Sequence, residues 1–180
     1  TVRATRLTYV GELGWELYVS RDMARLAFDA ILEAGAAHGL RLAGLHALNS
    51  LRIEKAYRHF GHDVTDEDHV LDAGLGFAVK LDKPRGRFGD FIGREGALRE
   101  RDAPSEKVLV TLGIEATDAD ASGFEPVKCD GRLVGWTTSG AYGHHVKRSL
   151  ALGYVDRTIA REAPPLTVDV IGEPRAARIL

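Results

Sequence analysis

Seven histidines are the first chemical feature of the chain, with His59, His62, Asp63 and His69 close together and His144 and His145 adjacent. His59-x-x-His62 lacks the i, i+4 spacing and the glutamate of a helical zinc motif, and no second cysteine exists beside Cys129. The plainer reading is a solvated polar loop, with no metal expected. Gly11-Glu12-Leu13-Gly14 and Gly74-Leu75-Gly76 are not phosphate loops, because neither carries the lysine of a P-loop or the GxGxxG that opens a helix after a strand. Ser139-Gly140 sits in no GxSxG elbow, so hydrolase chemistry has little support. Glu16 is the more informative acid. It lies in Trp15-Glu16-Leu17-Tyr18-Val19, where alternation turns its side chain away from Trp15 and Leu17. On a solvated face it is an ordinary surface carboxylate. On a pocket face it would accept two parallel N–H bonds from a planar amidine-like edge, with Tyr9, Tyr57 and Phe77 as candidate walls that are also readable as plain core.

The elements that position these residues follow from periodicity. Arg3 to Val19 reads as two short strands around the Gly11–Gly14 turn. From Arg21, Met23, Leu26, Ala27, Ala30, Ile31 and Ala34 recur at helical spacing, with Ser20 as a possible cap and Gly35 and Gly39 as stops. Leu45, Leu48, Leu51 and Arg52 with its aliphatic stem form a second stripe, predicting a helix from about Leu45 to Lys55. Ala56 to Asp72 is a polar ordered loop, Gly76 to Leu81 a strand, Lys83 to Gly86 a turn, and Gly93 to Arg101 a short helix with Ala97 and Leu98 inward. A charged, proline-containing link over Arg101 to Glu106 separates this unit from one rich in strands: Val108 to Ile114, Pro126 to Cys129, Leu133 to Ser139, Leu150 to Val155 and Leu166 to Ile171. With Asp130-Gly131 as a tight turn, these segments suggest a small closed barrel or Greek key. The expected class is α+β: an antiparallel sheet with helices over residues 1–103, then a β-barrel over 104–180.

Composition narrows the function classes. At 44% hydrophobic and 28% charged, the 180 residues are those of a globular protein that buries roughly 70% of its unfolded surface. The net charge of −2 gives no electrostatic reason to bind nucleic acid, and no apolar run reaches membrane-span length. A single cysteine excludes an intrachain disulfide and fits a cytoplasmic setting, or a mitochondrial matrix in a eukaryote. Thr1 in place of Met, with strand alternation almost at once, reads as a chain entered in mid-domain.

Tyr9-Val10-Gly11-Glu12-Leu13-Gly14-Trp15-Glu16 resembles the YTGExGxE motif of the glycine cleavage T-protein (aminomethyltransferase) family. The resemblance runs on through Ala43 to Lys55, Tyr57 to Asp63, Asp72 to Phe77, Asp90 to Gly93, Gly135 to Gly140 and Leu150 to Val155, so it covers essentially the whole chain. Ser50-Leu51-Arg52-Ile53-Glu54-Lys55, Tyr57-Arg58-His59 and Lys80-Leu81 look more like the folate-binding half of sarcosine and dimethylglycine dehydrogenases. The resemblance implies a tetrahydrofolate-binding fold and a one-carbon transfer that yields 5,10-methylenetetrahydrofolate. It implies that Glu16 holds the pterin's 2-amino and N3 edge, that Tyr9 contacts folate and that Phe77 stands at a folate wall. Family members often carry an arginine at the position of His46 or Leu48; neither is arginine here, whereas Arg52 is retained. Arg52 reads equally well as a helix-surface ion-pair partner worth about 0–1 kcal/mol. The family's catalytic aspartate precedes the motif, so the expected protein is the C-terminal part of a longer enzyme, inactive alone. An upstream FAD domain is implied for the dehydrogenase version. The other class left open is a non-catalytic binding module on the same fold, and the surface facing an absent portion predicts self-association.

Overall fold

The computed structural model describes residues 1–84, 86 and 90–180; Arg85, within the turn expected over Lys83 to Gly86, lies outside them. The chain is α+β, with a two-stranded antiparallel sheet and helices followed by a closed six-stranded barrel.

Strands β1 (Arg3–Thr5) and β2 (Glu16–Tyr18) pair antiparallel, Thr5 opposite Glu16. They are shorter than the expected hairpin arms because residues 6–15 fold back on themselves. A Cβ on Gly14 would come within 2.7 Å of the Leu7 carbonyl oxygen, and Gly11 turns at φ 78°. Helix α1 (Ala24–Ala36) follows a short 3-10 turn over Arg21–Met23. Ser20 precedes that turn in extended conformation but makes no capping hydrogen bond, so the expected cap is absent. The stop is as expected: Gly39 takes φ 71° and the Leu40 N–H donates to the Gly35 carbonyl at 3.1 Å.

Helix α2 (Leu45–Glu54) forms where the leucine spacing predicts it, but with a different inner face. Of the expected stripe, Leu45, Leu48 and Leu51 are 82%, 36% and 38% exposed and only Arg52 is buried, together with Ser50 and Ile53. The reason is what it packs against. Asn49 Nδ2 donates to the Gly140 carbonyl at 3.2 Å and the Ser50 hydroxyl to the Tyr142 carbonyl at 2.5 Å, so polar groups on this face find strand carbonyls as partners. After the polar loop, Gly76–Ala78 forms a 3-10 turn in place of the expected strand. Short backbone bonds, Ala78 N–H to Leu75 and Val79 N–H to Gly76, take the donors a ladder would need. Helix α3 (Arg94–Asp102) buries Ala97, as expected, and Glu100, whose carboxylate accepts the N–H groups of Leu71 and Asp72.

The barrel strands are β3 (Lys107–Ile114), β4 (Pro126–Cys129), β5 (Arg132–Gly143), β6 (Arg148–Asp156), β7 (Leu166–Val170) and β8 (Glu173–Ile179). Their order is β3-β6-β5-β4-β7-β8, and β8 closes antiparallel onto β3. Asp130 (φ 49°) and Gly131 (φ 79°) form the expected tight turn between β4 and β5. β8 was not legible in the sequence, nor was helix α4 (Arg157–Glu162), which places Ile159 in the barrel core with Leu112, Val127, Val134, Val155 and Val168. A second apolar cluster joins Ile53 of α2 to Leu109, Leu150, Leu152 and Tyr154, welding the helical part to the barrel. Among the described residues no helix is long and apolar enough to cross a membrane.

Candidate functional site

A cleft of about 370 Å³ opens where α2, the polar loop and the barrel meet. Tyr9 enters it from the segment between β1 and β2. Leu45, His46, Leu48, Asn49 and Arg52 come from α2, His59 and His62 from the loop, and Ser122, Thr138 and Ser139 from the barrel. The volume lies within the range of small-molecule sites. Tyr9 is fixed twice: its hydroxyl donates to the Arg58 carbonyl at 2.8 Å, and its ring stacks on Tyr57 at 6.1 Å between centroids with 16° between planes. Burial raises the Tyr9 pKa above its ordinary value, the Arg52 charge works against the shift, and the Asp63 charge adds to it, so Tyr9 is a neutral wall at physiological pH.

Behind the cleft lies Asp63, fully buried. Its carboxylate accepts from Arg52 Nη1 at 2.5 Å, the Thr138 hydroxyl at 2.5 Å, the Ser139 hydroxyl at 2.6 Å and the His59 N–H at 2.9 Å. Its backbone carbonyl accepts the Tyr154 hydroxyl at 3.2 Å. Arg52 also donates to Asn49 Oδ1 at 2.7 Å and to the Tyr57 carbonyl at 3.0 Å. Asp63 thus ties α2, the loop and two barrel strands together, β5 through its carboxylate and β6 through its backbone carbonyl. Four donors offset the desolvation that would otherwise make such a charge costly.

The structure brings three of the sequence-predicted site residues together. Tyr9 and Arg52 line the cleft, and Tyr57 backs Tyr9. Arg52 is 1% exposed, which corrects the surface ion-pair reading: its partner is the buried Asp63, not a neighbour on the helix surface. Glu16 and Phe77 do not line the cleft. Glu16 is half-buried at the start of β2, with Oε2 accepting the Tyr18 hydroxyl at 2.5 Å, and that bond raises the Tyr18 pKa. Phe77 is 76% exposed on its 3-10 turn, far from a core wall. Sequence reasoning missed Asp63, Asn49, Thr138 and Ser139. Asp63 was weighed only as part of a metal-like histidine cluster among loop acids that look alike, and Ser139 only as a nucleophile in a run that resembles the family without a stated role.

Elsewhere, His69, Asp72 and Glu100 bring potential metal-ligand atoms within 4.8 Å of one another. Both carboxylates are already engaged, Asp72 by Arg157 and the Ser105 N–H, and Glu100 by the N–H groups of Leu71 and Asp72. The group is therefore accounted for as an anchor between the loop, α3 and the barrel.

Comparison with known proteins identifies the framework around this cleft. Residues 1–83 match the family model described as the GCVT N-terminal domain, and residues 107–180 match the glycine cleavage T-protein C-terminal barrel domain. The mitochondrial dimethylglycine dehydrogenase of Homo sapiens is 37% identical over 179 residues, 99% of this chain and 20% of that protein. An aminomethyltransferase of Desulforamulus reducens is 36% identical over 176 residues, 98% of this chain and 47% of that protein. The crystal structure of glycine cleavage system aminomethyltransferase T from Bartonella henselae superposes with a TM-score of 0.84 at 25% identity, over 99% of this chain and 48% of that one. The chain thus spans about a fifth of the dehydrogenase and just under half of the aminomethyltransferases. Two matched domain models in order, and relatives aligned across nearly the whole sequence, make this chain a member of the glycine cleavage T-protein family.

Proposed function

We propose that the chain is the C-terminal part of a tetrahydrofolate-dependent one-carbon transferase-like enzyme, of the sarcosine or dimethylglycine dehydrogenase kind, that makes 5,10-methylenetetrahydrofolate. The observation that carries this reading is the cleft itself: an aromatic wall, amide and hydroxyl groups, and a buried charge pair that fixes their positions, in a chain aligned end to end with a dimethylglycine dehydrogenase.

The donor set fits a pterin-type ligand. The stacked Tyr9 and Tyr57 offer a flat apolar face, and Asn49, Thr138 and Ser139 offer polar atoms around it. Tetrahydrofolate would supply the nitrogen atoms that accept the one-carbon unit. The residues of this chain bind and orient it. Glu16 does not line the cleft, and its assignment to the pterin amine edge is carried by the family resemblance alone, with Tyr9 and Tyr57 as the wall. Arg52 acts through Asp63 and Asn49 to hold the cleft in shape. Phe77, exposed on its turn, would contact folate only where another segment closes over it. Oxidation of an amine by a flavin is assigned to a separate FAD-binding domain of the parent enzyme.

Calorimetric titration of tetrahydrofolate into a longer polypeptide containing this chain, with the 180-residue chain in parallel, tests the reading. Tyr9→Ala is expected to weaken binding by about ten-fold. Glu16→Ala is expected to weaken it by at least about ten-fold, the loss typical of a charge-assisted hydrogen bond. A well-folded longer polypeptide that binds no tetrahydrofolate would sink the transferase reading in favour of a non-catalytic binding module.

A further inference from the structure

A second cavity, of about 460 Å³, opens at the C-terminal end of α2 and shares no lining residue with the cleft. Part of its lining is apolar: Leu150 of β6, Val146 from the turn before it, Ala56 and Leu180. Lys55, which follows α2, and Arg148, the first residue of β6, face the same space. Among the described residues neither cation has a carboxylate partner, and the hydroxyl of Thr111 in the same lining makes no hydrogen bond. The one acid of the lining, Glu54, is turned to the backbone of the β5–β6 turn, where Oε1 accepts the His145 N–H at 2.7 Å and the Val146 N–H at 3.4 Å. With two cations against one acid, the lining is net positive.

The charged side chains are seated on bare backbone. A Cβ on Gly11 would lie 2.5 Å from Lys55 Cε, and one on Gly113 would lie 3.0 Å from Arg148 Cδ, so each aliphatic stem rests on a glycine that leaves room for it. Gly143 does the same for the opposite side, since its Cβ would lie 2.6 Å from Val146 Cγ2 and 3.0 Å from Glu54 Oε1. Side chains already held in place lose little further freedom when a ligand engages them.

We propose that this cavity binds a small organic carboxylate with an apolar body, its acid end held by Lys55 and Arg148 and its body against Val146 and Leu150. Hydrogen bonds between a carboxylate and a guanidinium or ammonium are charge-assisted, and a guanidinium can grip both oxygens at once. The apolar lining selects among anions, because a fully hydrated ion such as phosphate leaves Leu150 and Val146 wet whereas a hydrocarbon chain covers them. The volume suits a ligand of this size. The site stands apart from the folate reading, and neither depends on the other.

The test is an NMR titration of the 180-residue chain with hexanoate, followed at the backbone amides. Hexanamide, which lacks the charge, and inorganic phosphate, which lacks the apolar body, are titrated in parallel. Hexanoate is expected to give saturable shifts at Ala56, Thr111 and Leu150, and the other two probes to bind at least about ten-fold more weakly. Lys55→Met and Arg148→Met keep a stem over the glycine and remove the charge, and each should weaken hexanoate by about ten-fold. Arg148 also borders the barrel groove that Arg178 lines, so Arg178→Met separates the two places and should leave the affinity unchanged. Absence of saturable shifts at those amides overturns the proposal, as does hexanamide or phosphate binding as tightly as hexanoate. So does undiminished affinity in both Lys55→Met and Arg148→Met, or a loss in Arg178→Met as large as in Arg148→Met. The comparison of the three probes on the unsubstituted chain decides the matter even if a variant fails to fold.

Discussion

Asp63 accepts from four donors at zero exposure, so it cannot be removed without stranding Arg52 as a buried, unpaired cation. Asp63→Ala is expected to cost about 3–5 kcal/mol of folding stability, measured by urea denaturation. Thr138→Val, which leaves the ion pair intact and removes one donor, should cost only about 1–2 kcal/mol. Equal and small losses for the two would show that the buried pair is not the joint described here. Tyr154 supplies a prediction in pH. Burial is the first cause that pushes its pKa well above the usual tyrosine value, and the nearby Asp68, Asp72 and Asp63 charges push in the same direction. The folded state therefore holds this proton more tightly than the unfolded state. The stabilisation is complete below the unfolded pKa of about 10 and is lost as pH rises above it. Denaturation midpoints should fall at alkaline pH, and Tyr154→Phe should reduce that slope. An unchanged slope in the variant would assign the effect to other groups.

At the level of elements, two strands approach more closely than side chains allow. A Cβ on Gly135 would lie 2.0 Å from the Tyr154 carbonyl oxygen, a backbone atom that cannot move without opening the β5–β6 ladder. Gly135→Ala should therefore destabilise the barrel by about 3 kcal/mol or more, whereas Gly131→Ala in the open tight turn loses only a favourable backbone conformation, about 1 kcal/mol. The two thermal midpoints order these costs. α2 makes the complementary case. Ile53→Ala removes a fully buried side chain from the joint cluster and should cost about 2–5 kcal/mol. Leu45→Ser on the exposed stripe should stay within about 0.5 kcal/mol. A large effect at Leu45 would mean that another surface covers this stripe. The same helix shows where sequence reading stops. Its boundaries were legible from leucine spacing, but most of its inner face was not, because Asn49 and Ser50 are turned inward by strand carbonyls that are more than 90 residues away in sequence. Strands rich in β-branched and aliphatic residues, such as β3 and β7, were read within a residue or two. β8, Glu173–Ile179, was not, because its polar and charged residues face outward at the seam that closes the barrel.

Across the whole molecule, packing is uneven. The larger core cluster lies entirely in the barrel and α4, the smaller one joins Ile53 to the barrel wall, and none of the residues of α1 is buried. Hydrogen exchange should follow this gradient, with amides of β3, β5 and β6 protected longest and those of α1 exchanging well before global unfolding. Uniform protection would contradict it. The family was legible at this scale because Tyr9 to Glu16, Ala43 to Asp63 and Gly135 to Gly140 keep their motif spacing, and those stretches bracket the cleft. Asp63 was hidden among look-alike loop acids, since burial of a carboxylate depends on donors from distant strands. The central claim is that the cleft between Tyr9, Asn49 and Ser139 is the ligand site. Its most direct test is a crystal structure of a polypeptide containing this chain grown with tetrahydrofolate. The pterin is expected against Tyr9, within hydrogen-bond reach of Asn49 or Ser139. Ligand seated instead in the barrel groove beside Arg148 and Arg178, with the cleft empty, would contradict the account.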